Sequence, residues 1–74
     1  MLGLLINFKE AQELEYMLKR EMEELLLDFG DSRIDGVVKR AMEERYQIIF
    51  NLFRRIAPPE ECTKYIRHKR EHYR

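Results

Sequence analysis

Cys62 is the one cysteine in the chain. A thiol attacks only as its thiolate, so a nucleophilic Cys62 needs a base within hydrogen-bond reach. His68 follows six residues on, about two-thirds of a turn out of line if a helix continues. Free cysteines mostly pack as small apolar residues, and Cys62 is expected to do so near a helix start, a place that also favours the thiolate.

His68-Lys69-Arg70-Glu71-His72 matches the H-x-x-E-H pattern of some zinc proteases. Two histidines at i and i+4 share a helical face. Lys69 and Arg70 repel a metal ion, however, and no further chain offers a third ligand or a substrate cleft. No metal site is expected there. Glu10, Glu13, Glu21, Glu24 and Asp28 line one flank of a first helix. Such carboxylates hold Mg²⁺ in helical nucleotide pyrophosphohydrolases when those of two helices converge. Here the spacing does not match, and Glu43 and Glu44 are expected to face solvent. A solvated face with i,i+4 pairs such as Glu15–Lys19 and Arg20–Glu24 is the better account. A metal-dependent hydrolase is a distant alternative.

Lys64, Arg67, Lys69, Arg70 and Arg74, with Arg54, Arg55, Tyr65 and Tyr73 nearby, form the one basic zone. Aromatic rings among cations can stack bases while the cations meet phosphates. Glu60, Glu61 and Glu71 dilute the zone, so a solvated tail or pairing with the acidic helix is expected first and nucleic-acid contact second. The chain has no Gly-rich phosphate loop, no Ser-His-Asp set and no C-x-x-C pair. No catalytic residue and no cofactor is expected.

These residues must be carried by a small scaffold. The chain has 74 residues, with fourteen Lys plus Arg balancing fourteen Asp plus Glu. Zero net charge argues against a general polyanion binder. A lone cysteine excludes an internal disulfide framework and fits a reducing, cytoplasmic setting. No apolar run approaches the roughly 20 residues of a membrane helix, and residues 2–6 lack the basic start of a signal peptide.

The apolar spacing is helical. Positions 4, 8, 11, 15, 18, 22, 25 and 29 alternate three- and four-residue steps and all but Glu15 are apolar. This predicts a helix over 8–29, with Asn7 and Glu10 as a capping box and Gly30 as a left-handed stop. A turn over 30–36 follows, with Ser32 or Asp35 as the next cap. A second helix is predicted over 37–56, ending before Pro58. Its seam is Val38, Met42, Ile49, Phe53 and Ile56, flanked by Val37, Ala41, Ile48 and Leu52 on one side and Tyr46 and Phe50 on the other. A short third helix is predicted over 59–70, with Cys62, Tyr65, Ile66 and Tyr73 as its apolar stripe.

A short turn makes the long helices antiparallel neighbours. Facing residue numbers should sum to about 66, which sets Glu21 beside Arg45. The fold class is therefore all-α: a long helical hairpin with a short C-terminal helix. The apolar arc of the second helix exceeds half its girth, more than one neighbour covers. A lone chain of this size buries only about 60–65% of its unfolded surface. Dimerisation into a four-helix bundle answers both, with Val38, Ala41, Ile48, Ile49, Leu52, Phe53 and Ile56 as the expected dimer interface. A monomeric three-helix bundle, a tetramer and a hetero-complex are the alternatives.

The stretch from Leu18-Lys19-Arg20-Glu21-Met22-Glu23-Glu24-Leu25 through Ala57-Pro58-Pro59-Glu60-Glu61-Cys62 resembles the short, uncharacterised helical proteins of Gram-positive bacteria. It covers most of the chain and implies neither an activity nor a functional residue. The expected function is a non-enzymatic helical interaction protein or small regulator, homodimeric, with room for an unidentified protein partner. A nucleic-acid-associated protein is the alternative.

Charge is not spread evenly. Residues 1–31 hold eight acids and three bases, while residues 32–57 hold three and six and residues 58–74 three and five. An acidic first helix against a basic remainder suits a hairpin.

Overall fold

The helices start where local chemistry starts them. A computed structural model describes residues 1–67. Helix α1 runs Phe8–Phe29 behind a reciprocal capping box. The Glu10 amide donates to Asn7 Oδ1 at 2.8 Å, and the Asn7 amide donates to Glu10 Oε1 at 2.9 Å. Helix α2 runs Gly36–Phe53, and Asp35, not Ser32, caps it by accepting from the Val37 amide at 3.1 Å.

Gly30 does not make a left-handed stop. Its φ of −85° and ψ of −4° are right-handed. The turn closes by tight amide-to-carbonyl bonds instead, Gly30 to Leu27 at 3.1 Å and Asp31 to Asp28 at 3.0 Å. Asp31 then accepts from the Arg33 amide and grips its guanidinium at 2.9 Å, which holds the carboxyl below its ordinary range.

Helix α2 ends three residues earlier than the sequence suggests, at Phe53. The chain tightens into i,i+3 bonds at Arg55 and Ile56 ahead of the two prolines. The third helix is also shorter. Helix α3 covers only Pro59–Cys62, and a 3-10 turn Thr63–Tyr65 succeeds it. Ile66 is extended, with ψ 129°. The Tyr46 hydroxyl takes the Tyr65 carbonyl at 2.7 Å, so a side chain occupies an acceptor that a continuing helix would have used. Residues 68–70 of the expected helix lie outside the described residues.

The core gathers Met22, Leu25 and Phe29 of α1, Tyr46, Ile49, Phe50 and Phe53 of α2, and Tyr65. Phe29 meets Tyr46 edge-on at 6.0 Å, and Phe53 meets Tyr65 at 5.5 Å. Leu4 and Phe8, the first members of the α1 stripe, are exposed. In the antiparallel register the end of α2 lies level with about residue 13 of α1, so Phe8 lies beyond it, and Leu4 meets Leu52 of α2 only across the open cavity that both line. The register itself is seen in the Arg45–Glu21 ion pair at 2.8 Å.

Candidate interaction surface

The hairpin has two broad faces, and the chain covers one of them with its own C-terminal strap, residues 57–67. Lys19 of α1 meets Glu61 at 2.9 Å, and Lys64 meets the other Glu61 oxygen at 2.9 Å. These two ammonium groups hold the Glu61 carboxyl down at about 2. The Tyr65 hydroxyl donates to Glu23 Oε2 at 2.9 Å. Burial, helped by that carboxylate, pushes the Tyr65 phenol upward. Cys62 is half-buried against the core, with its thiol 3.9 Å from the Ala57 carbonyl.

Arg67 closes the strap. Its guanidinium donates from Nε and Nη2 to Glu43 Oε1 at 3.3 and 3.1 Å and lies 4.1 Å from the centre of the Phe29 ring. The side chain is only 9% exposed. Two sequence expectations are corrected here. Glu43 does not face solvent; it is half-buried and holds Arg67. Arg67 is not a free phosphate ligand, because its donors and its flat face are engaged within the fold. Lys64 is exposed but shared with Glu61. Lys69, Arg70 and Arg74, and the H-x-x-E-H motif at 68–72, lie outside the described residues. The partner of Lys19 is Glu61 across the strap, in place of the simple Glu15–Lys19 helix pair.

The second face is open. At about 100° per residue, Val37, Ala41, Ile48 and Leu52 fall within an arc of about 60° on α2. Val37 is 69% and Ile48 70% exposed. Ala41 and Leu52 lie about 160–180° round α2 from Glu43, the residue that holds the strap. Between stripe and core sits the exposed side of the Glu21–Arg45 pair. Beyond Leu52 the surface continues into a cavity of about 240 Å³ lined by Leu2, Leu4, Ile6, Leu14, Leu52 and Ile56, among others. Met17 of α1 is exposed on the same side.

The structure divides the seven residues expected at a dimer interface. Val38, Ala41, Ile48 and Leu52 are exposed, and Ile56 is half-buried. Ile49 and Phe53 are spent inside the subunit, Phe53 with no exposure at all. The core of α2 is centred on Tyr46 and Phe50 as well as the predicted seam, and this rotation turns Val37, Ala41 and Ile48 outward. Val37 belongs to the open stripe although the sequence set it only as a flank. Its one signal was its line with Ala41 and Ile48.

Among the described residues, no three His, Cys, Asp or Glu side chains come together as a metal would need. No helix among them is long and apolar enough to cross a membrane. Comparison with protein-family models, curated proteins and solved structures finds no match.

Proposed function

We propose that the chain is a non-enzymatic helical interaction protein that acts as a homodimer, two hairpins joining through α2 into a four-helix bundle. The observation that carries this is the open apolar stripe of α2, with Val37 and Ile48 each about 70% exposed on a helix whose other side is fully packed. Single exposed apolar residues are ordinary, but an aligned row on one helix face is the mark of a docking surface. Dimerisation also supplies the burial that so small a chain lacks alone. The lone Cys62 suits a cytoplasmic setting.

The test is sedimentation or light scattering of the full chain across concentration. A mass of twice 9.1 kDa is expected at tens of micromolar. Ile48→Lys should shift the protein to monomer while its helical circular dichroism persists. A wild-type chain that stays monomeric at those concentrations defeats the proposal.

A further inference from the structure

Resting on the homodimer reading, we propose that two copies join with their α2 helices antiparallel, about a two-fold axis that passes between residues 44 and 45. The open stripe is symmetric about that point. An antiparallel partner in this register sets Val37 against the second copy's Leu52 and Ala41 against its Ile48. Each contact then matches a smaller side chain with a larger one, which is how facing layers fill space. A parallel, in-register dimer stacks Ala41 on Ala41 and Ile48 on Ile48, leaving a gap in one layer and a bulge in the next.

The central layer holds Glu44 and Arg45 of both copies, all four exposed in the single chain. At about 100° per residue they fall on opposite edges of the stripe, so the two-fold axis sets Glu44 beside the second copy's Glu44 and Arg45 beside its Arg45, and the layer as a whole carries no net charge. Each Arg45 is already positioned by its own Glu21 at 2.8 Å and still has donors to spare. Sliding one helix by a heptad loses the apolar match. With the axis at Ala41, Arg45 faces Val37 and Leu52 runs past the start of the partner helix. With the axis at Ile48, Leu52 faces Glu44 and Ala41 faces Arg55.

The stripe from 37 to 52 is about 22 Å long. Alone it offers less than the roughly 800 Å² per partner of a stable interface. The N-terminal segment makes up area: Leu2, Leu4 and Leu5 are at least 78% exposed, and Leu2 and Leu4 line the cavity at the Leu52 end. The antiparallel register carries that end to the second copy's Ile34 and Val37, so the apolar surface runs on without a break.

The experiment is disulfide trapping in full-length Cys62→Ser protein, with helicity checked for each variant. Arg45→Cys, beside the axis, should give a covalent dimer under mild oxidation. Ala41→Cys alone and Ile48→Cys alone should not, whereas Ala41→Cys with Ile48→Cys together should. As a second measurement, spin labels on Val37→Cys should sit roughly 20–30 Å apart, following the ~22 Å offset along the helices. Linking of Ala41→Cys or Ile48→Cys alone, or a Val37 label distance near about 10 Å, the spacing of packed helices, overturns the register while the homodimer stands. A dimer that none of these cysteines traps overturns the α2 surface and likewise leaves the homodimer standing. A chain that is monomeric by sedimentation removes both.

Discussion

Arg67 lies 4.1 Å from the ring centre of Phe29, so the last described residue of the strap is seated on the last residue of α1. The same guanidinium holds Glu43 of α2, tying three parts of the chain at one point. A cation over an aromatic face contributes about 0.5–2 kcal/mol, more as water is excluded, and a hydrogen bond to a charged group about 1.5–3. Arg67→Ala is therefore expected to cost about 1–3 kcal/mol in urea unfolding. Arg67→Lys should recover less than half of that, because an ammonium can neither lie flat on the ring nor reproduce the two N–H contacts. Equal stability of the Ala variant and the native chain would mean that the strap is not held here.

The Tyr46 hydroxyl is a second tie. It sits in the core and donates to the Tyr65 carbonyl at 2.7 Å, and burial pushes its phenol up to about 12. Tyr46→Phe keeps the ring and removes the donor, leaving a buried carbonyl short of a partner at a cost of about 1–3 kcal/mol. The pH dependence has a fixed sign. The folded chain holds this proton more tightly than the unfolded chain, whose phenol ionises near 10.0. Stability from this group is complete below pH 10 and is lost as pH rises through about 12. Urea midpoints measured from pH 8 upward should fall more steeply for the native chain than for Tyr46→Phe. Parallel curves would assign the alkaline loss elsewhere.

Glu21 and Arg45 test the hairpin register from the outside. Their pair is short, 2.8 Å, but the side chains are 37% and 58% exposed, so solvent and salt weaken it. Glu21→Arg alone or Arg45→Glu alone should cost about 0.5–1 kcal/mol, and the double swap should recover most of either loss. Urea unfolding of the monomer, measured in an Ile48→Lys background, separates this from any effect on association. Absence of recovery would remove the pair from the account of stability.

The hairpin was legible because its signals are local. Asn7 with Glu10, Asp35 ahead of an apolar run, and the short turn fix two helices and their register within a few residues of sequence. Which arc of α2 meets α1 was not legible. Apolar residues cover more than half of that helix, so several rotations bury equally well by pattern alone. The choice is made by contacts distant in sequence. Tyr46 reaches Tyr65, and Arg67 reaches Glu43 and Phe29. They draw the Tyr46–Phe50 side inward and leave Val37, Ala41 and Ile48 outside. That is why Ile49 and Phe53, placed by pattern at a dimer interface, belong to the core. The seven residues beginning at His68, with Lys69, Arg70 and Arg74 of the basic zone among them, are beyond the described residues.

Gly30 separates pattern from geometry most sharply. A glycine after a helix suggests a left-handed cap, and in such a cap a Cβ costs about 1 kcal/mol or more. Gly30 instead has φ −85° and ψ −4°, which any residue adopts. An added Cβ would come no closer than 3.5 Å to the Leu27 carbonyl oxygen, an ordinary van der Waals contact. Alanine there also narrows the unfolded ensemble, an effect of about 0.4–1 kcal/mol in favour of the fold. Gly30→Ala should therefore leave stability unchanged or raise it by up to about 1 kcal/mol. A urea midpoint that drops by the equivalent of more than about 1 kcal/mol would mean that the glycine is left-handed in solution and that the tight i,i+3 turn is not the one the chain uses.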